Sequence, residues 1–346
     1  MTETSLPTET AAIPERTFGR SMRYVSGYAI LIAVMLVSPL FVFLPAALFH
    51  CIIRNGRRIT WSSLFIGTAI AGLLAVAGAN APQVTATEAN TGLAYLVALV
   101  LAVALPSMAV SSMVERAESF GRILLTAILL SCVGLAATEI SMRTVAGFSP
   151  FAQQVTEARV DATKLVVALQ AAGLPSDVIA AMKRWSEVRV FCLPAFLLIS
   201  VVIVFVLSLV LFGRLQSWRA LVERRQAAAG TSPYLFRNLS LPEWLLFAFV
   251  IGGLSPLASG MPQRIGANVL ALVSFLYLLQ GLAIFRSFLA AAGAGFTSIF
   301  LAYIFLGILT ITGISPLVLS IAGLFDSFFD FRKFNRKDHS DESHSD

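Results

Sequence analysis

Apolar residues run along this chain in long blocks rather than in the short alternating patterns of a soluble fold. The first block, 24–53, is too long for one membrane span. It is too short for two full ones at about twenty residues each, and Pro39 and Pro45 interrupt it, so it predicts two short helices or a broken helix. Further apolar blocks cover approximately 60–79, 92–113, 120–142, 190–213, 242–258, 265–289, 296–312 and 314–328. This pattern predicts an all-α, polytopic transmembrane helical bundle with about 8–10 membrane segments, some of them broken by proline.

Polar stretches divide the rest. Residues 1–23, rich in Thr, Glu and Pro, predict a disordered cytoplasmic tail ahead of a transmembrane domain over 24–330. A charged tail follows at 331–346. Within 150–188, Val155, Ala158, Ala162, Leu165, Leu169 and Ala172 recur at three- and four-residue steps and give one apolar helical face. Gly173 ends that helix, and Pro175-Ser176-Asp177 starts a second carrying Ile179, Met182 and Trp185. The expectation is an amphipathic hairpin on the extracytoplasmic surface, acting either as an interfacial connector or as a lid.

Composition agrees with a bilayer. Hydrophobic residues make up 57% and charged residues 13% of the chain, against about a quarter charged in a soluble protein. A net charge of +6 could suggest nucleic acid, but position argues otherwise. Basic residues cluster in 16–23, 54–58, 116–122, 214–237 and 332–337, between alternate apolar blocks, whereas the short loops of the opposite side hold only Arg264; six more lie in the long outside segment 143–189, and long loops escape the rule. That asymmetry predicts N-in, C-in insertion in a bacterial cytoplasmic (inner) membrane. The partners expected are the lipid bilayer, a membrane or cytoplasmic protein and a small-molecule ligand; nucleic acid is not expected. No cleavable signal peptide is expected at the polar N-terminus.

Chemistry is sparse. Cys51, Cys132 and Cys192 lack metal or disulfide spacing, and two of the three histidines lie in the C-terminal tail, leaving His50 alone. Phosphate-binding Gly-rich loops, HExxH pairs and GxSxG elbows are absent. The chain therefore reads as a non-enzyme with no cofactor and no metal. Glu139 and Arg143 can pair across one helical turn near a span end. Asn268, Tyr277 and Gln280 are the polar residues of the 265–289 block; Asn268 and Gln280 lie about a third of a turn apart and can share a broad face. They are the candidate substrate-binding residues, with helix–helix hydrogen bonding as the alternative. Arg224 and Arg225 in a basic cytoplasmic linker, 214–241, are candidates for meeting lipid or a partner. So are Asp326, Asp330 and Arg332 at the last span end. Ser38-Pro39, Ser255-Pro256 and Ser315-Pro316 predict kinks or turns, or half-helix ends lining a cavity. Gly67, Ala71, Ala75 and Ala79, like Ala94, Ala98 and Ala102, predict close helix packing.

The run GLFDSFFDFRK over 323–333, Leu241-Pro242-Glu243-Trp244, Gln280-Gly281-Leu282-Ala283 and the opening Leu44-Pro45-Ala46-Ala47-Leu48 before Arg54-Asn55-Gly56 together resemble the YybS-like family of bacterial membrane proteins of unknown function. The resemblance covers about 24–335. It implies fold-level similarity to the substrate-binding S components of energy-coupling-factor vitamin importers and to the rod-shape protein MreD. Two functions follow as expectations: a substrate-binding, S-component-like subunit of a small-molecule uptake system, or a membrane scaffold that recruits cytoplasmic or envelope-assembly partners. The first is preferred.

Overall fold

The structure, a computed structural model, describes residues 18–79, 86–116, 118–215, 236–311 and 314–329. It is all-helical, with no strand among these residues. Helix α1 (Phe18–Leu36) breaks at Ser38-Pro39, passes through a 3-10 turn (Pro39–Phe43) and continues as α2 (Leu44–Asn55), bent by 119°. Gly56, at φ 83°, makes the next turn into α3 (Arg57–Ala79). Helix α4 (Ala86–Leu99) runs through a π-helical stretch, Val100–Ala104, into α5 (Leu105–Glu115). Then come α6 (Phe120–Val145), α7 (Pro150–Ala171), α8 (Ser176–Phe191), α9 (Leu193–Phe212), α10 (Leu245–Gly253), α11 (Met261–Ala291), α12 (Phe296–Ile311) and α13 (Ile314–Phe329).

The expected helical membrane bundle with broken segments is present among the described residues, and the bent segments pair up. Among the described residues, five helices are long and apolar enough to cross a membrane: Arg57–Gly78, Asn90–Glu115, Phe120–Val145, Leu193–Phe212 and Met261–Ala291. Two bent pairs, α1 with the run from Pro39 to Asn55 and α12 with α13, raise this to at most seven. Residues 242–258 yield only the nine-residue α10, because Ser255-Pro256 closes it in a 3-10 turn.

The bends bring non-consecutive helices side by side. Ser63 Oγ donates to the Val25 carbonyl, 3.2 Å, and Gly67 lies against Ala29 and Ile32 further along, so α1 and α3 run parallel. Likewise Ser320 Oγ donates to the Ser274 carbonyl, 3.0 Å, and Gly323 abuts Tyr277, so α11 and α13 run parallel. Small residues permit both approaches.

Two apolar clusters form the interior. The larger joins α2, α5, α6, α9 and α11 through Phe49, Val110, Leu124, Phe205, Phe212 and Tyr277. The smaller packs α1, α2, α3 and the α4–α5 helix through Ile32, Leu48, Leu64 and Val103. Contacts also sort the helix ends. Arg57 pairs with Glu115 at 3.2 Å, and Gly121 sits against Ser240, so these positions share one end of the bundle. Arg264 lies over the Phe191 ring at 5.4 Å, at the other end.

At that second end α7 and α8 form a helical hairpin. Gly173, at φ 68°, makes its turn and Pro175 caps α8. Few of its side chains are buried: none in α7 and only Ser186 in α8. The half-buried stripe of α7 runs through Val155, Ala158, Ala162, Val166 and Leu169, whereas Leu165 points outward at 40% exposure.

Candidate functional site

The polar groups of α6 and α7 organise this second end. Ser149 caps α7, accepting from the Ala152 amide at 3.0 Å. Glu139, near the end of α6, reaches across. Its Oε2 accepts the Phe151 amide at 3.0 Å, and its Oε1 accepts the Ser149 hydroxyl and Arg143 Nε, the latter at 2.6 Å. One carboxylate thus satisfies an otherwise orphaned first-turn amide of α7 and ties the helix to its neighbour. Four residues along α7, Gln153 Nε2 donates to Thr91 Oγ1 on α4 at 2.6 Å and to Glu157 Oε1 at 2.8 Å. Helix α7, packed along α8, is therefore also fastened at its N-terminal hinge to α6 and by the Gln153–Thr91 latch to α4.

Beneath it lies a cavity of about 370 Å³. Its apolar walls include Ala98, Leu135, Ala136, Leu197 and Leu198 from α4, α6 and α9. Tyr95, Phe148 and Phe151 contribute rings; Thr91, Thr138, Gln153, Gln154, Glu139 and Glu157 contribute polar groups. Gln154 Oε1 is buried without a hydrogen-bond partner. A mostly apolar enclosure of this size with a few convergent polar groups is the usual form of a small-molecule site. Among the described residues no group of three or more His, Cys, Asp or Glu comes together as a metal site.

Asn268, Tyr277 and Gln280 lie elsewhere on α11. The Asn268 amide serves the break between α8 and α9: Oδ1 accepts from Ala195 N at 2.9 Å, and Nδ2 donates to the Phe191 carbonyl at 3.3 Å. Gln280, almost fully buried, accepts the Leu241 amide at 3.2 Å and donates to Asp326 Oδ2 at 3.1 Å. Tyr277 is wholly buried, edge-on to Phe249 at 5.9 Å. Its hydroxyl lies beside Ser327, and neither oxygen makes a hydrogen bond of normal geometry. The structure thus brings Gln280 and Asp326 together, separates them from Asn268, and places none of the three α11 residues on the cavity wall. Arg224, Arg225, Asp330 and Arg332 lie outside the described residues.

The serine–proline breaks are turns. Ser38 Oγ accepts from Leu40 N, Ser255 heads a 3-10 turn, and Ser315 Oγ donates to the Leu306 carbonyl at 3.1 Å. Sequence reasoning missed Thr91, Gln153, Gln154 and Glu157. The signal available was two adjacent uncharged amides, Gln153-Gln154, at the start of an otherwise charged amphipathic helix.

Membrane-length helices packed around a cavity at one end of the bundle define a polytopic α-helical membrane protein. More narrowly, the chain belongs to the family described as "Predicted membrane protein (DUF2232)", which matches residues 26–327. No curated protein and no solved structure matches it.

Proposed function

We propose that this protein is a substrate-binding membrane module of a small-molecule uptake system, similar in role to an S component, which takes its ligand into the cavity beneath α7. The cavity itself carries this reading: about 370 Å³, walled by three membrane-length helices and roofed by a thinly attached amphipathic helix. The YybS-like resemblance supports it. So does the lack of any nucleotide motif, which fits a binding subunit energised by a separate partner and doing no covalent chemistry of its own. The charge asymmetry supports N-in, C-in insertion in the inner membrane, with the cavity on the extracytoplasmic side.

Purification from native membranes in mild detergent, with mass spectrometry of both small molecules and proteins, tests the proposal. A metabolite retained by the native protein and lost from Ala136→Trp, which fills the cavity, is the expected result. Recovery of cytoplasmic or envelope-assembly proteins with no Ala136-dependent metabolite would favour the scaffold role instead. Orientation is checked separately: Lys164→Cys on α7 should react with a membrane-impermeant maleimide added from outside.

A further inference from the structure

The charge distribution around α7 narrows the ligand. The cavity wall carries two carboxylates, Glu139 and Glu157, and no Lys, Arg or His. Arg143 neutralises Glu139 from the exposed side, so the uncompensated charge is that of Glu157; no ion pair reaches it among the described residues. Of the remaining polar groups, Gln154 Oε1 is buried without a hydrogen-bond partner, and the Thr91 hydroxyl accepts from Gln153. Tyr95, Phe148 and Phe151 add aromatic rings, and a ring attracts a cation placed over its face. The other flank of α7 has the opposite character. There an open cleft of about 980 Å³ between α7 and α8 is bordered by Arg159, Lys183 and Arg264 against Glu187 alone. An anionic solute is therefore drawn to the far side of α7, and a cationic one to the cavity.

Resting on the uptake reading above, we infer that the cavity selects an organic cation. Its ligand carries a protonated amine or equivalent donor head on a flat apolar body, with the head at Glu157 and Gln154 and the body between the apolar walls.

Cys132 lines the cavity, and its alkylation reports occupancy there and not in the basic cleft. Three probes share one ring system and differ in charge: tryptamine, tryptophol and indole-3-acetate. The full-length protein is treated with N-ethylmaleimide in detergent, and the Cys132 peptide is followed by mass spectrometry. Tryptamine should slow the reaction at the lowest concentration, tryptophol at a higher one, and indole-3-acetate least. Glu157→Gln, which removes the uncompensated charge at the cavity, should weaken protection by tryptamine about fivefold and leave tryptophol unchanged. Protection by indole-3-acetate equal to or better than that by tryptamine would overturn the inference, as would an unaltered tryptamine response in Glu157→Gln. If no probe protects Cys132 while an Ala136-dependent metabolite is still retained, the cation inference fails and the uptake reading stands. If neither is seen, both fall.

Discussion

Asn268 holds Ala195 in a bond that the backbone cannot make for itself. In a continuous helix the Ala195 amide would donate to the Phe191 carbonyl; at the α8–α9 break it donates instead to Asn268 Oδ1, while Asn268 Nδ2 donates to that same carbonyl. One side-chain amide bridges both orphans. Ser131 does comparable work beside Pro106, which has no N–H to offer the Ala102 carbonyl. The Ser131 hydroxyl lies 2.6 Å from that oxygen and 2.7 Å from Ala127 O, within bonding reach of both.

Replacing Asn268 with Leu keeps the bulk and removes both bonds. The orphaned groups sit at the edge of a span, where an unmet donor or acceptor costs about 1–3 kcal/mol, offset where water enters. A clear fall in the thermal unfolding midpoint in detergent is expected. An unchanged midpoint would mean that water reaches the break and Asn268 is dispensable.

The α11–α13 contact sets a second, sharper expectation. A Cβ added at Gly281 would stand 1.9 Å from the Leu319 carbonyl oxygen, and one at Gly323 2.0 Å from that of Tyr277. Backbone cannot yield cheaply there, so Gly281→Ala and Gly323→Ala should each lower the yield of monodisperse protein on size-exclusion chromatography. Gly72→Ala meets nothing within 4 Å and should leave the yield unaltered.

How far the sequence speaks can be read from these same residues. Apolar block length announced a helical membrane bundle, and Gly56, Gly173 and the serine–proline pairs marked turns by their chemistry. Block length does not encode bend angle, so the 24–53 block predicts only two short helices or a broken helix, and 296–312 and 314–328 read as separate segments, although each pair folds back on itself. A polar residue in an apolar block announces a need for hydrogen bonds without saying whose; Asn268 and Gln280 meet needs of this chain's own backbone and carboxylate. The cavity was hidden for the opposite reason. Its polar groups sit on an amphipathic helix, where Gln153, Gln154 and Glu157 look like a solvated face until α4 and α6 are placed beside them.

Gln280 and Asp326 are expected to be energetically coupled. Removing either leaves the other short of a partner in a buried site, so Gln280→Leu and Asp326→Leu should each destabilise. The double variant should then lose less than their sum. Interhelical hydrogen bonds in membrane proteins couple by about 0.5–2 kcal/mol. A double-mutant cycle on unfolding in mixed detergent measures the coupling, and strict additivity would mean that the 3.1 Å contact contributes nothing to stability.

The hinge and latch of α7 differ in strength, and hydrogen–deuterium exchange can separate them. At the hinge, Glu139 accepts three hydrogen bonds, one of them from its ion-pair partner Arg143; at the latch, Gln153 and Thr91 share one hydrogen bond between neutral groups. Charge-assisted bonds are roughly twice as strong as neutral ones. Thr91→Ala should therefore raise exchange along the body of α7 while the 149–153 segment stays protected. Glu139→Gln keeps an acceptor but loses the charge, and should speed exchange at 149–153 as well. Helix α7 would then open as a flap about its N-terminal end. Equal exchange in the native protein and Thr91→Ala would show that the latch does not hold α7, and that the cavity opens by some other movement.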